Sequence, residues 1–140
     1  MILNRLLNKI TGINKANFEV NFLSRVVSPE NIIFEGDIPH SFANKRGCFI
    51  QAKNGIIFGK DVIWADNVAI ISANHNKKDH SRYDKDRYIS IGDNVWIGFG
   101  AVILPGVSLG NNVIVGANAV VTKSFPKGSV IAGNPAKVIK

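Results

Sequence analysis

From Ile91 to Pro126 the chain divides into six blocks of six residues, IGDNVW, IGFGAV, ILPGVS, LGNNVI, VGANAV and VTKSFP. The first positions, Ile91, Ile97, Ile103, Leu109, Val115 and Val121, are all aliphatic, and the fifth carry Val95, Ala101, Val107, Val113, Ala119 and Phe125. Gly, Asn and Asp recur between them. Upstream, FGKDVI and WADNVA keep the pattern with Phe58 and Trp64 leading and Ile70 next, and weaker six-residue spacing links Val26, Ile32 and Ile38. A helix would place apolar residues three and four apart, and a half-buried strand would alternate them. A period of six with turn-forming residues predicts a short strand, a tight turn and another short strand wound around a coil, with first-position side chains stacked inward. Such a solenoid buries its core only by stacking one coil on the next.

The rhythm stops between Ile70 and Ile91, where ISANHNKKDHSRYDKDRY carries two of the three histidines. The step from Ile70 to Ile91 is longer than a full coil of three hexads by three positions. A polar loop near residues 76–90 is therefore predicted to leave the solenoid before the stack resumes, and long loops on rigid scaffolds often carry function. At the other end, Ile2, Leu3, Leu6, Leu7 and Ile10 share one helical face, and Gly12 can end the helix. Phe18, Val20 and Phe22 alternate as a strand would. Residues 1–25 are expected to form a helix and strand capping a β-helical region, 26–140, within one domain overall. The alternative for the helix is weak docking on a membrane surface or a partner.

A length of 140 residues suits a single domain, and 46% hydrophobic with 19% charged residues suits a globular one. No apolar run is long enough to span a bilayer, and the start lacks the apolar core and cleavage site of a signal peptide. The lone Cys48 cannot form an internal disulfide and is expected in or near the core. The expected location is cytoplasmic. The net charge of +7 comes from scattered Lys and Arg, with no basic helical stripe or glycine-aromatic signature, so no nucleic-acid partner is expected. After Asp93 there is no Asp or Glu, whereas Lys123, Lys127, Lys137 and Lys140 follow, which favours an anion site near the C-terminus.

The run YISIGDNVWIGFGAVILPGVSLGNNVIVGANAVV, followed by TK and AGNPAKVI, resembles the hexapeptide-repeat acyltransferases, in particular sugar O-acetyltransferases of the maltose and galactoside type. The resemblance covers roughly residues 50–140. It implies an all-β fold, a left-handed parallel β-helix with three hexads per coil. The left hand rests on the resemblance alone, since parallel connections are generally right-handed. It also implies a homotrimer with sites between subunits, acetyl-CoA as co-substrate and no metal.

SANHNKKD matches the place of the family's catalytic histidine, which puts His75 in that role. A sugar hydroxyl is a poor nucleophile at its own pKa, and a histidine base suits its activation near neutral pH. His80 is expected to be an ordinary loop residue, and Asp79 mostly solvated. Asn74 and the outward-facing Trp96 are expected in the acceptor pocket, and backbone N–H groups of the Trp96–Phe99 turn at the thioester oxygen. The resemblance assigns coenzyme A to Phe99, the backbone of Ala117, Thr122, Lys123, Gly133, Asn134, Pro135 and Lys137. Lys137 replaces a frequent Arg and so keeps the charge without the planar fork. The absence of a nucleophile–base–acid set agrees with direct transfer.

The expected function is thus acetyl transfer to a sugar hydroxyl in bacterial surface polysaccharide biosynthesis. Four alternatives stand beside it. Two are an N-acetyltransferase on a nucleotide amino-sugar and a serine acetyltransferase, the latter normally carrying a long helical N-terminal domain. The third is a gamma-type zinc carbonic anhydrase, using His40, His75 and His80 at separations of 35 and 5. The last is a non-catalytic scaffold.

Overall fold

The computed structural model describes residues 2–85 and 87–140. In chain order the elements are α1 (Ile2–Thr11), β1 (Arg25–Val27), β2 (Ile32–Phe34), α2 (Ser41–Asn44), β3 (Phe49–Gln51), β4 (Ile56–Phe58), β5 (Ile63–Trp64) and β6 (Ala69–Ile71). After the loop come β7 (Ile89–Ile91), β8 (Trp96–Ile97), β9 (Val102–Ile103), β10 (Ser108–Leu109), β11 (Ile114–Val115), β12 (Val120–Val121), β13 (Val130–Ala132) and β14 (Lys137–Val138). They form three sheets, β1-β3-β6-β9-β12, β2-β4-β7-β10 and β5-β8-β11-β13-β14, here called the first, second and third. From β3 to β12 successive strands belong to successive sheets, and every pairing except the terminal β13–β14 is parallel. The chain therefore winds as a three-sided parallel β-helix.

Each repeat position has a physical task. In the regular hexads 58–69 and 91–126 the first and fifth positions are buried, so two apolar side chains per hexad fill the bore. The fourth position turns the corner with positive φ, held by Asp61, Asn67, Asn94, Asn112 and Asn118, or by Gly100 and Gly106. Asn tolerates that region better than other non-glycine residues. At the end nearer α1 the aliphatic column gives way to rings. Phe42 packs edge-on against Phe18, Phe34, Phe58 and Trp64, with centroids 4.8 to 5.8 Å apart. Cys48 lies buried beside them, and desolvation pushes its thiol pKa up.

The structure corrects three expectations from the sequence and settles the orientation of α1, which the sequence left open. The first concerns the interruption. Ile70 stacks on Ile103 and Ile103 on Val121, and the first of these steps is longer than the second, a plain three-hexad coil, by two and a half hexads. That excess is the inserted loop. Ile91 belongs to the second sheet and stacks on Phe58, so its distance from Ile70 is not a coil length. The loop also ends before Ile89, which is buried in β7.

Second, residues 18–22 form no strand. Their backbone groups go elsewhere: the Val20 carbonyl accepts from Asn8 Nδ2 at 2.8 Å, and the Asn21 N–H donates to the Phe42 carbonyl at 2.8 Å. Third, Ile38 is exposed, because the first coil abandons its third strand for α2. There Ser41 Oγ accepts the Trp64 N–H and donates to the Trp64 carbonyl, closing the edge of the third sheet.

The helix α1 docks with its polar side inward. Asn4 is buried; its Nδ2 donates to the Ala43 carbonyl, and its Oδ1 accepts the Phe22 N–H. Asn8 bonds the Val20 carbonyl and accepts from Asn14, whose own Oδ1 accepts the Val26 N–H. Ile2, Leu3, Leu6 and Ile10 face solvent. The helix is thus fastened by asparagine hydrogen bonds, while most of its apolar stripe stays exposed and only Leu7 is half-buried.

Candidate functional site

His75 lies four residues beyond β6, at the corner between the first and second sheets. The inserted chain turns back on itself there. His75 pairs with Tyr83 in an antiparallel bridge, the Asp84 N–H donates to the Asn74 carbonyl at 2.9 Å, and the Asn76 N–H to the Arg82 carbonyl at 2.9 Å. Asn76 Oδ1 caps the tip by accepting the N–H groups of Lys78 and Asp79. Asp79 accepts from both the Oγ and N–H of Ser81, which lowers its pKa, and it pairs with Arg82 at 3.2 Å. It does not orient His75.

The imidazole is oriented by the loop backbone. His75 Nδ1 lies 2.6 Å from the His80 carbonyl oxygen. A carbonyl only accepts, so Nδ1 carries the proton, and in the neutral ring Nε2 is the free lone pair. One face of the imidazole lies against Tyr83, with centroids 4.3 Å apart, and Lys53 Nζ sits 3.3 Å from the centroid of the Tyr83 ring. His80 therefore serves through its main chain, a role its side-chain chemistry could not reveal.

Two residues missed by sequence reasoning hold this corner. The buried Gln51 grips the backbone of Ala73: its Oε1 accepts the Ala73 N–H at 3.0 Å and its Nε2 donates to the Ala73 carbonyl at 3.0 Å. Asn54 Nδ2 donates to the carbonyls of Ser72 and Asp84, tying together the departing and returning chains. The only signal in the sequence was two amides next to the interruption once coils are stacked. Below His75 a groove of about 460 Å³ opens on the first sheet, lined by Arg25, Phe49, Gln51, Lys53, Asn74, His75 and Tyr83 among others.

The structure sorts the remaining expected residues into separate places. Asn74 joins His75 in the groove. Thr122 and Lys123 follow β12 at the same corner as His75, two coils away, or about 10 Å at the usual strand spacing. Phe99 and Ala117 lie across the first sheet, at its corner with the third. The Gly133–Ala136 turn closes over β12, where Val120 donates to Gly133 and Ala136 donates to Val120. The exposed Lys137 starts β14. Trp96 faces outward from the third sheet and is not brought to His75 within one chain.

The backbone donors along the Phe99 corner are capped at one end of the row, where the Arg46 N–H donates to Asp66 Oδ1, and open further along it. Between the second and third sheets, the Lys60 and Asp93 N–H groups are capped by Asp93 and Asn111 side chains of the next coil. At the equivalent positions 99 and 117 the side chains are Phe and Ala, which cannot accept. The Phe99 and Ala117 N–H groups have no acceptor among the described residues. The Trp96 and Gly98 N–H groups are consumed by Val113 and Val115, so of the expected Trp96–Phe99 donors those two are not free. Gly98 is needed there because a Cβ would lie 2.7 Å from the Ala117 nitrogen.

No group of three or more His, Cys, Asp or Glu among the described residues is placed to hold a metal. The geometry thus defines a parallel β-helix with one inserted, histidine-bearing loop. Residues 88–123 match the family model for the bacterial transferase hexapeptide (six repeats). It is 40% identical over 88 residues to the galactoside O-acetyltransferase of Escherichia coli, covering 61% of this chain and 43% of that protein. It is 59% identical over 64 residues to protein CapG of Staphylococcus aureus, covering 46% and 37%. A galactoside acetyltransferase solved in complex with coenzyme A superposes with a TM-score of 0.75 at 30% identity, covering 91% of this chain and 62% of that one. The helix is left-handed, as the resemblance implied. The chain spans about half the length, or less, of the curated relatives it matches.

Proposed function

We propose that this chain is an acetyl-CoA-dependent O-acetyltransferase that acetylates a saccharide hydroxyl, in bacterial surface polysaccharide synthesis. The observation that carries the reading is the Nδ1–carbonyl bond of His75, which reserves Nε2 as a proton acceptor beside an open groove. In the reaction, His75 Nε2 takes the hydroxyl proton as the oxygen attacks the thioester carbonyl carbon. The C–S bond then breaks, and the proton passes to the departing sulfur. General-base help of this kind is worth ~10² to 10⁴ in rate. The free Phe99 and Ala117 N–H groups suit the pantetheine amides and the developing oxyanion. Thr122, Lys123, Gly133, Asn134, Pro135 and Lys137 supply donors and positive charge for the nucleotide end.

His75 and Trp96 occupy different faces of one chain, so a complete site on this reading needs a neighbouring copy. An outward row of Ile63, Trp96, Ile114 and Val130 across the third sheet supports that assembly. A trimer with sites in its clefts satisfies both facts.

The test is thiol release from acetyl-CoA with a panel of saccharides, amino-sugar nucleotides and serine. Saccharide-dependent release is expected, with His75→Ala lowering turnover at least ~10²-fold while acetyl-CoA still binds. Near-wild-type turnover in that variant, or release with serine or an amine alone, would overturn the assignment.

A further inference from the structure

The groove below His75 has a charge that base catalysis does not require. Arg25 reaches it from β1, and Lys53 from the corner one coil below the loop. No Asp or Glu among the described residues lines it. Arg25 and Lys53 make no ion pair among the described residues. The described carboxylates of the loop are otherwise engaged: Asp84 accepts from Asn76, and Asp79 from Ser81 and Arg82. Glu30 lines the adjoining groove on the other side of Lys53, with no bond to it.

Lys53 is also the better placed of the two cations. It is half-buried, and its ammonium is held over the same Tyr83 ring that stacks on His75. One ring therefore sets the distance between a fixed positive charge and the base. A cation–π contact leaves the ammonium hydrogens that point away from the ring free to donate. Gln51 at the groove floor commits its amide to Ala73, which leaves Arg25 and Lys53 as the charged side chains open to an acceptor, with Asn74 and the Tyr83 hydroxyl beside them.

The topology says which substrate meets these cations. Along the first sheet the order is β1, β3, β6, β9, β12, with His75 leaving after the central strand. The expected coenzyme A residues Thr122 and Lys123 lie at the β12 end. Arg25 and Lys53 lie beyond His75 in the opposite direction, at the β1–β3 end, where the acceptor must enter if the donor arrives from the other.

We propose that the acceptor is an anionic saccharide, whose carboxylate or phosphate is bound by Arg25 and Lys53 while a neighbouring hydroxyl faces His75. This rests on the acetyltransferase reading above. The test compares matched acceptors by thiol release from acetyl-CoA: a uronate-containing oligosaccharide, a phosphorylated one and the neutral counterpart of each. The arm with the larger kcat/KM identifies the anion. At least one anionic acceptor is expected to exceed its neutral counterpart about tenfold or more, the usual scale of a charge-assisted contact. Arg25→Gln and Lys53→Gln are expected to shrink that ratio several-fold through KM, with KM for acetyl-CoA unchanged. Lys60→Gln, exposed on a different corner, should leave the ratio as it was and so control for bulk charge. Neutral acceptors used as well as anionic ones would overturn the inference while leaving the acetyltransferase reading intact, as would a preference that survives both substitutions. No turnover with any acceptor would overturn both.

Discussion

Replacing Gln51 by leucine tests whether the exit of the inserted loop is held from below. Gln51 is buried, and so are the groups it serves, the backbone of Ala73 and the hydroxyl of Ser72. Leucine matches the side chain roughly in size but leaves the Ala73 N–H and C=O without partners. Each unmet buried group costs about 1 to 3 kcal/mol. Burial of the leucine side chain offsets about 1.5 kcal/mol or more of that. A net loss of about 0.5 to 4.5 kcal/mol follows if the chain stays in place.

The chain can lower that cost by letting Ala73 move toward water, and His75 is two residues further on. Displacement of a reacting group by about 1 Å can cost ~10² in rate. The substitution must therefore appear as lost stability, lost turnover, or some of each. Urea unfolding at one fixed protein concentration reads the first, and kcat at saturating acetyl-CoA reads the second. A Gln51→Leu variant with wild-type midpoint and wild-type kcat would refute the claim that Gln51 positions the loop.

Two further perturbations address other parts of the molecule. On α1, Leu6→Ser and Ile10→Ser should change stability by less than ~0.5 kcal/mol, whereas Asn8→Ala should cost about 1 to 2 kcal/mol by freeing the Val20 carbonyl. Thermal unfolding of the three variants checks this, and the reverse ranking would mean that the apolar stripe is packed. At the Phe99 corner, Gly98→Ala puts a Cβ 2.7 Å from the Ala117 nitrogen and 2.9 Å from the Val115 oxygen, so two coils must part. A loss of about 1 to 3 kcal/mol is expected together with weaker acetyl-CoA binding by calorimetry, and a variant unchanged in both would argue against donors at this corner.

The solenoid is readable in the sequence because each coil repeats the same physical problem: two inward apolar positions and one tight corner, imposed on six residues at a time. Ile91, Ile97 and Ile103 announce in the sequence the bore that they fill in the fold. The interruption is visible for the same reason, since a broken repeat is as conspicuous as a kept one. Its length is not, because period alone does not say which sheet a strand joins, and Ile70 and Ile91 lie on adjacent sides. The orientation of α1 cannot be read from its apolar face. Amphipathicity says that a helix has two sides, and here three asparagines, Asn4 and Asn8 on the helix and Asn14 just beyond it, outcompete the apolar stripe for the protein surface through contacts distant in sequence. The partner of His75 escapes for a related reason: the acceptor is a main-chain carbonyl, which every residue possesses.

These features share one mechanical logic. A β-helix coil is a poor place for a movable base, because each side chain is either in the bore or on a flat face with its backbone committed to neighbouring coils. Inserting two and a half hexads of chain at one corner frees a histidine from that lattice while both ends of the insertion stay fastened to it. Gln51 and Asn54, from the coil below, fasten those ends. The lattice meanwhile supplies what a loop cannot, rows of backbone groups at fixed spacing. Where the side chain of the next coil is Asx, the row is capped; where it is Phe99 or Ala117, it is left open. A single acceptor-to-non-acceptor change at a corner position thus opens one backbone donor, the N–H of the coil before it. On this logic, Ala117→Asn should recap the Phe99 N–H, raise stability slightly and weaken acetyl-CoA binding. Opposite movement of those two quantities is what separates a donor kept open for a ligand from one left over by chance.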